Sequence, residues 1–572
     1  MHTSNCKDFF PFLIESDIHL CYTFAIRKVG MSMKFPYKRL IALSLALCLF
    51  LCGCANVDLK GYWENLQNLV TGVTPFDRME YTRPDMDAFD AQLQQLCDLA
   101  ATEKDFDKLI DAFWAFYGTY DAFTTASALA SIHYYADMSS SYWAAEHRFC
   151  TDHAARADAA LDTLYRALAK SPLREELEQP DYFGPGYFVY YEGDGIYDEA
   201  LMSLLQQEAA LLGRYYSLCA EAEALEAGSE AYFSSYGDQF ADLYLELVLL
   251  RRQIADQAGY EDYVQFAYDQ YYYRDYSPQD ATGYLADIRA ELSPLYTQLL
   301  QSDFWSGELA ESDREETFAY LSSMAENMGG QIGEAFDILR RGKLYDIAPG
   351  EHKFNASFEV YLPSYYAGFV FVNPLGNEFD KLTFCHEFGH FCSDYVSYGS
   401  IAGVDVAEIF SQGMEYLSLS YAEGGADLLS LKMADSLCIY VEQAALASFE
   451  QQVYALPEEE LTADTVTALY GDICGAYGID LGGQPLSYVT VTHFFTNPMY
   501  IISYVGSNDA SLQLYQLEQK QKGAGLACLE SNLATTQGQF LAFIREAGLE
   551  SPFTPGRLTT VRQLLEQAIS GI

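Results

Sequence analysis

Residues 386–390 read His-Glu-Phe-Gly-His, inside the stretch "NEFDKLTFCHEFGHFCSDYVS" whose apolar spacing predicts a helix. On a helix, positions i and i+4 project from one face roughly 6 Å apart. Two imidazoles so placed, His386 and His390, can bind one Zn²⁺ at about 2.0–2.1 Å each. Glu387 is turned one position round the helix, away from the ligand direction. There it can reach a water on the metal and act as general base. The chemistry implied is metal-assisted hydrolysis. Catalytic zinc normally has three protein ligands and one open position, so a third is required. The next segment, "VDVAEIFSQGMEYLSLSYA", offers Asp405, Glu408 and Glu415, with Val406, Ile409, Phe410, Met414 and Leu417 turning one side to the core. Spacing alone does not choose between Glu408 and Glu415, which lie two turns apart on the same face.

The elements that must position these groups are mostly helical. From about residue 78 to 180 apolar residues recur at three- and four-residue spacing, as in Phe106, Leu109, Ile110, Phe113 and Phe116. A break at Lys170-Ser171-Pro172 leads to the aromatic, Gly/Pro-rich stretch around 180–195, a lobe boundary or lid. Helical patterns resume over 197–340 and again over most of 377–572. Between them, "SFEVYLPSYYAGFVFVNP" (357–374) is rich in β-branched and aromatic residues and predicts one or two short strands. The fold class is thus mostly α with a small β-sheet immediately ahead of the zinc helix. The domain organisation reads as an N-terminal extension and signal over 1–54, a helical region over 55–195 and a catalytic region over 196–572.

Composition narrows the function. The 572 residues are half hydrophobic and 15% aromatic, which predicts a packed globular protein. A net charge of -48 excludes nucleic-acid binding, which needs clustered Lys and Arg, and excludes polybasic docking on an anionic membrane. Near the start, Met33-Lys34-Phe35-Pro36-Tyr37-Lys38-Arg39 forms a basic region, followed by an apolar run from Leu40 to Phe50 and then Leu51-Cys52-Gly53-Cys54. This is the build of a secretory signal, and the run is shorter than the roughly 20 residues that span a bilayer. Its last four residues resemble the lipobox of bacterial lipoproteins, which implies lipidation at Cys54 and a location on the outer face of a bacterial membrane, held by the lipid anchor only. Met1, Met31 and Met33 are alternative starts. Of the 13 Cys, the eight after Cys54 contain no CxxC pair, so a Cys-based zinc site is excluded.

The segment "AEIFSQGMEYL" resembles the Glu-x-x-Ser-x-x-x-Glu helix of the thimet oligopeptidase and oligoendopeptidase F family of zinc metallopeptidases. The resemblance implies that Glu408 is the third ligand of a single zinc ion. It implies that Glu415 orients a ligand His, the alternative being a surface or salt-bridge carboxylate. "YDIAPGEHKFNASFEVYLPSYYAGFVFVN" resembles the family's loop and edge strand, which would pair with substrate backbone. "HFFTNPMYIISYVGSNDASLQLY" (493–515) resembles its His/Tyr helix, with His493, Tyr500 and Tyr504 as the matching residues. Two departures stand out: a short connection from His390 to Glu408, and "NASFEVYLP" where a Gly-rich turn is expected.

The family resemblance implies two helical lobes around a deep channel that admits short unstructured peptides. It further implies endopeptidase chemistry with Glu387 as base and with Tyr500, Tyr504 and His493 as donors to the developing oxyanion. The alternatives are an HExxH aminopeptidase, for which no amine-anchoring motif is found, and a non-catalytic peptide-binding lipoprotein, whose signature would be loss of Glu387 or a ligand. Oligomeric state and cleavage preference are not legible in the sequence.

Overall fold

The computed structural model describes residues 73–569, apart from 181, 193–197, 223–224, 226, 307–308, 400–402 and 536. The expected signal and Cys54 lie outside the described residues, and so does the boundary expected at 195.

Three helices open the described chain: α1 (Met86–Thr102), α2 (Phe106–Ala136) and α3 (Ser141–Ala169). Each starts at a side-chain cap. Asp85, Asp105 and Ser140 accept backbone N–H groups of their first turns, filling donors that a helix start leaves open. At 31 residues, α2 runs about 46 Å, and its two halves bury into different cores. Leu109, Phe113, Phe116 and Phe123 pack with α1 and α3 in a smaller core. Leu129, Ile132 and Tyr135 belong to the large core that holds the rest of the molecule. The main core includes α4 (Glu199–Ala222), α5 (Asp238–Gln257), α6 (Arg314–Met328) and α7 (Gly330–Gly342).

A three-stranded sheet follows, in the order β1-β3-β2. The one or two short strands expected over 357–374 are two, β2 (Phe358–Leu362) and β3 (Ala367–Phe371), which pair antiparallel with Phe358 opposite Phe371. β1 (Tyr345–Asp346) pairs in parallel with β3 and was not legible in the sequence, because two residues carry no alternation. β2 is one of the two outer strands, fully buried and packed beside α2.

The sheet lies on α8 (Phe379–Ser397), which is also flanked by α6, α7 and α9 (Val404–Tyr421). α10 (Leu429–Cys438) comes next. The expected continuous His/Tyr helix is instead two pieces, α11 (Thr492–Thr496) and α12 (Ile502–Lys520). Pro498 lacks an N–H and disfavours helix at the residue before it, and Met499 then takes a left-handed φ of 69°. Tyr500 therefore sits in the turn ahead of α12, not on its surface.

Candidate metal centre

Gly389, inside the motif, explains how two helices meet here. A Cβ on Gly389 would stand 2.6 Å from both the Phe410 carbonyl oxygen and the Ser411 Cα. Only a residue without a side chain lets α8 and α9 approach this closely. On the opposite side of α9, a Cβ on Gly413 would come 2.8 Å from Leu514 of α12. α9 is thus wedged between the motif helix and the helix that follows Tyr500.

That wedge delivers Glu408. Its Oε2 lies 3.4 Å from His386 Nε2 and 3.8 Å from His390 Nε2. The three donor atoms fall within 4.8 Å of one another, and all three side chains are buried. Zinc–ligand bonds of about 2.0 Å at tetrahedral angles put donor atoms roughly 3.3 Å apart. Two imidazole nitrogens and a carboxylate oxygen at these separations fit one Zn²⁺. Among the described residues this is the one such grouping of His, Cys, Asp and Glu. The structure also separates the two glutamates that spacing left equivalent, since Glu415 turns to the far side of the ring, with Oε1 2.8 Å from His386 Nδ1. A ring whose Nδ1–H donates to a carboxylate presents its Nε2 lone pair toward Glu408.

Glu415 is itself held. Burial pushes its carboxyl up, but Lys432 and His386 more than offset this and keep it below the ordinary glutamate value. Glu408 accepts a hydrogen bond from the Tyr500 hydroxyl to Oε1 at 2.7 Å and from the Ser411 hydroxyl to Oε2 at 2.8 Å. His493 Nε2 and the Tyr504 hydroxyl are 2.9 Å apart, and the His493 and Tyr500 ring centroids are separated by 4.9 Å. Glu408 thus joins the two His, and Tyr500 links Glu408 to His493 and Tyr504.

His386 and Glu387 open onto a cleft lined by Asn355, Ser357, Asn373, Phe379 and Ile439. Where a Gly-rich turn was expected, Lys353 organises the loop instead. Its ammonium donates to the Ala348 and Val372 carbonyls at 2.8 Å and faces the Asp346 carboxylate at 3.1 Å, which seats Asn355 and Ser357 at the cleft wall.

Several supporting residues escaped the sequence reading. Arg274 is fully buried over the Tyr268 and Tyr272 rings and donates to Asp405, to the Met499 carbonyl at 2.9 Å and to Ser503 at 2.9 Å. Arg251 donates to the carbonyls of Phe494 and Phe495 and pairs with Glu208 at 2.6 Å. The two guanidiniums thus hold the backbone on both sides of Pro498. For Arg274 the available signal was a lone arginine inside an aromatic run, "YYYRDY"; Arg251, in "LVLLRRQ", offered none.

Residues 76–193 match the model of the Peptidase M3 N-terminal domain. No curated protein matches the chain in sequence. Solved structures share the fold, three of them as follows. One, assigned as an oligoendopeptidase F, has a TM-score of 0.78 at 21% identity, covering 87% of this chain and 99% of its own. A second, PZ peptidase A with an inhibitor, has a TM-score of 0.78 at 19% identity, covering 86% and 99%. A third, an assigned oligoendopeptidase F from Bacillus anthracis strain Ames, has a TM-score of 0.75 at 20% identity, covering 87% and 98%.

Proposed function

We propose that this chain, which has the oligoendopeptidase F fold and an M3 peptidase N-terminal domain, is a zinc-dependent endopeptidase that cuts internal bonds of short, unstructured peptides. The observation that carries the reading is the Glu408 oxygen 3.4 and 3.8 Å from the two Nε2 atoms, with Glu387 on the adjoining cleft.

His386, His390 and Glu408 would hold the ion. Zn²⁺ bound there would polarise the scissile carbonyl and lower the pKa of a water to about 7. Glu387 takes the proton from the attacking water and passes it to the leaving amine. Glu415 fixes the His386 ring. The Tyr500 hydroxyl rests on Glu408, and Tyr504 and His493 stand behind it; a neutral phenol here can donate to a developing oxyanion without bringing charge into the site. No described helix is long and apolar enough to cross a membrane, and the reading places the enzyme outside a bacterial cell, tethered by lipid on Cys54.

The test is incubation with a mixed peptide library, with and without chelator, beside Glu387→Gln. Chelator-sensitive internal cuts that vanish in the variant are the expected result. Release of single N-terminal residues would reassign it as an aminopeptidase, and binding without any cleavage as a peptide-binding protein. Fatty-acid labelling that persists in Cys54→Ala would remove the anchor.

A further inference from the structure

Lys432 lies on α10, outside the two helices that carry the candidate ligands, and its side chain is wholly buried. Its Nζ donates to Glu415 Oε2 at 2.7 Å and to Asp435 Oδ2 at 2.8 Å, and sits 4.8 Å from the centroid of the Tyr416 ring. The other oxygen of Glu415 is the one at His386 Nδ1. One carboxylate therefore joins a buried ammonium to the far face of a candidate ligand ring. The Tyr416 ring is fixed in turn, its hydroxyl bonded to Asn508 Oδ1 at 2.8 Å.

We infer that Lys432 is a positioning residue for the metal centre, which sets the direction of the His386 ring by anchoring Glu415. The physical case is one of geometry. A carboxylate bonded through one oxygen only can swing about its side-chain torsions. With Lys432 on Oε2, Oε1 has a single place to be, 2.8 Å from Nδ1. Asp435 and the Tyr416 ring stop the ammonium from moving in turn. A buried ion pair of this kind adds little stability over apolar residues of the same volume, so its effect is expected in the site's geometry. Partners that orient a metal-bound His are worth about 10–100-fold in metal affinity.

This inference rests on the metal reading above, and the test separates the two. Zinc affinity of the purified, metal-stripped protein is measured by competition with a chromogenic chelator, together with the Tm of the metal-free form. Lys432→Met is expected to weaken zinc binding roughly 10-fold or more. Adding Glu415→Gln is expected to cost far less than it does alone, because both changes break one linkage. A Lys432→Met protein with a lowered Tm and unchanged zinc affinity overturns the inference, as do fully additive losses. Should Lys432→Met not fold, Asp435→Asn loosens the same ammonium from one side: a several-fold loss of zinc affinity supports the inference and an unchanged affinity overturns it. A wild-type protein that binds no zinc overturns the metal reading and this inference with it.

Discussion

The Tyr500 hydroxyl donates to Oε1 of Glu408 at 2.7 Å, although the two residues are 92 positions apart and neither lies on the motif helix. The carboxylate that completes the three-donor cluster is thereby tied to the turn between α11 and α12, the helices that carry the other candidate oxyanion donors, His493 and Tyr504. Tyr500→Phe keeps the ring and removes only the hydroxyl. Loss of one such donor typically lowers the rate about 10²–10³-fold. The expected outcome is a fall of that size in kcat with KM within a few-fold of wild type, and one zinc per chain still bound. Steady-state kinetics on a quenched fluorescent peptide, with metal analysis of the same sample, checks it. An unchanged kcat would remove Tyr500 from the chemistry.

Gly389→Ala tests the close approach of α8 and α9. In a helix interior Ala is favoured over Gly by up to about 1 kcal/mol, so propensity alone predicts a stabilised protein. The added methyl, however, meets backbone atoms of Phe410 and Ser411 at 2.6 Å, and backbone cannot rotate aside. Overpacking of this kind costs about 1–3 kcal/mol, and the displaced residues sit just after Glu408. The clash wins, so Tm falls and zinc affinity falls with it. A rise in Tm with intact zinc binding would show that the helices have room to separate.

What was legible in the sequence follows from the range of each interaction. His386, Glu387 and His390 lie within one helical turn, where spacing alone dictates geometry. Spacing alone does not separate Glu408 from Glu415, which the family resemblance told apart; in the structure one reaches the Nε2 side and the other the Nδ1 side of the same ring. Two histidine–carboxylate contacts at the ends of a single imidazole leave no trace in periodicity. Lys432 acts across 17 residues and Arg274 across 131, so their partners could not be read from local pattern. The helix expected over 493–515 failed at Pro498, a breaker that the apolar spacing around it concealed. The sheet was half legible: β2 and β3 announce themselves by β-branched and aromatic residues, whereas β1 is too short to carry a pattern.

Arg274 joins the turn before Tyr500 to the first turn of α9 through Asp405. Arg274→Met fills similar space and leaves Asp405 buried without its cation. Breaking one side of a buried pair costs about 3–5 kcal/mol, so a large drop in Tm is expected. The more telling readout is kcat. With the Met499 carbonyl no longer held, Tyr500 loses its fixed approach to Glu408. Arg274→Met should therefore lower kcat strongly in wild type and only slightly in a Tyr500→Phe background. Losses that multiply in the double variant would mean that Arg274 supports the fold without placing Tyr500.

His147 predicts an acid limb of stability remote from the metal centre. It is buried among Tyr134, Tyr135 and Tyr216, and burial lowers its pKa from 6.5 to about 4. The folded pKa lies below the unfolded one. Between pH 4 and 6.5 the unfolded chain consequently binds more protons, and stability rises with pH. The stabilisation is present in full above pH 6.5 and is lost as pH falls toward 4, by about 3 kcal/mol in all. Buried carboxyls titrate in the same range; Asp394, raised to about 6 by burial, acts in the opposite direction. The comparison that isolates His147 is therefore wild type against His147→Phe, by denaturant unfolding from pH 4 to 7.5. The stability difference is expected to shift in favour of the variant by about that amount as pH falls from 6.5 to 4, and to stay constant above 6.5. A difference independent of pH would mean that the ring is reached by water or by an acid when it protonates.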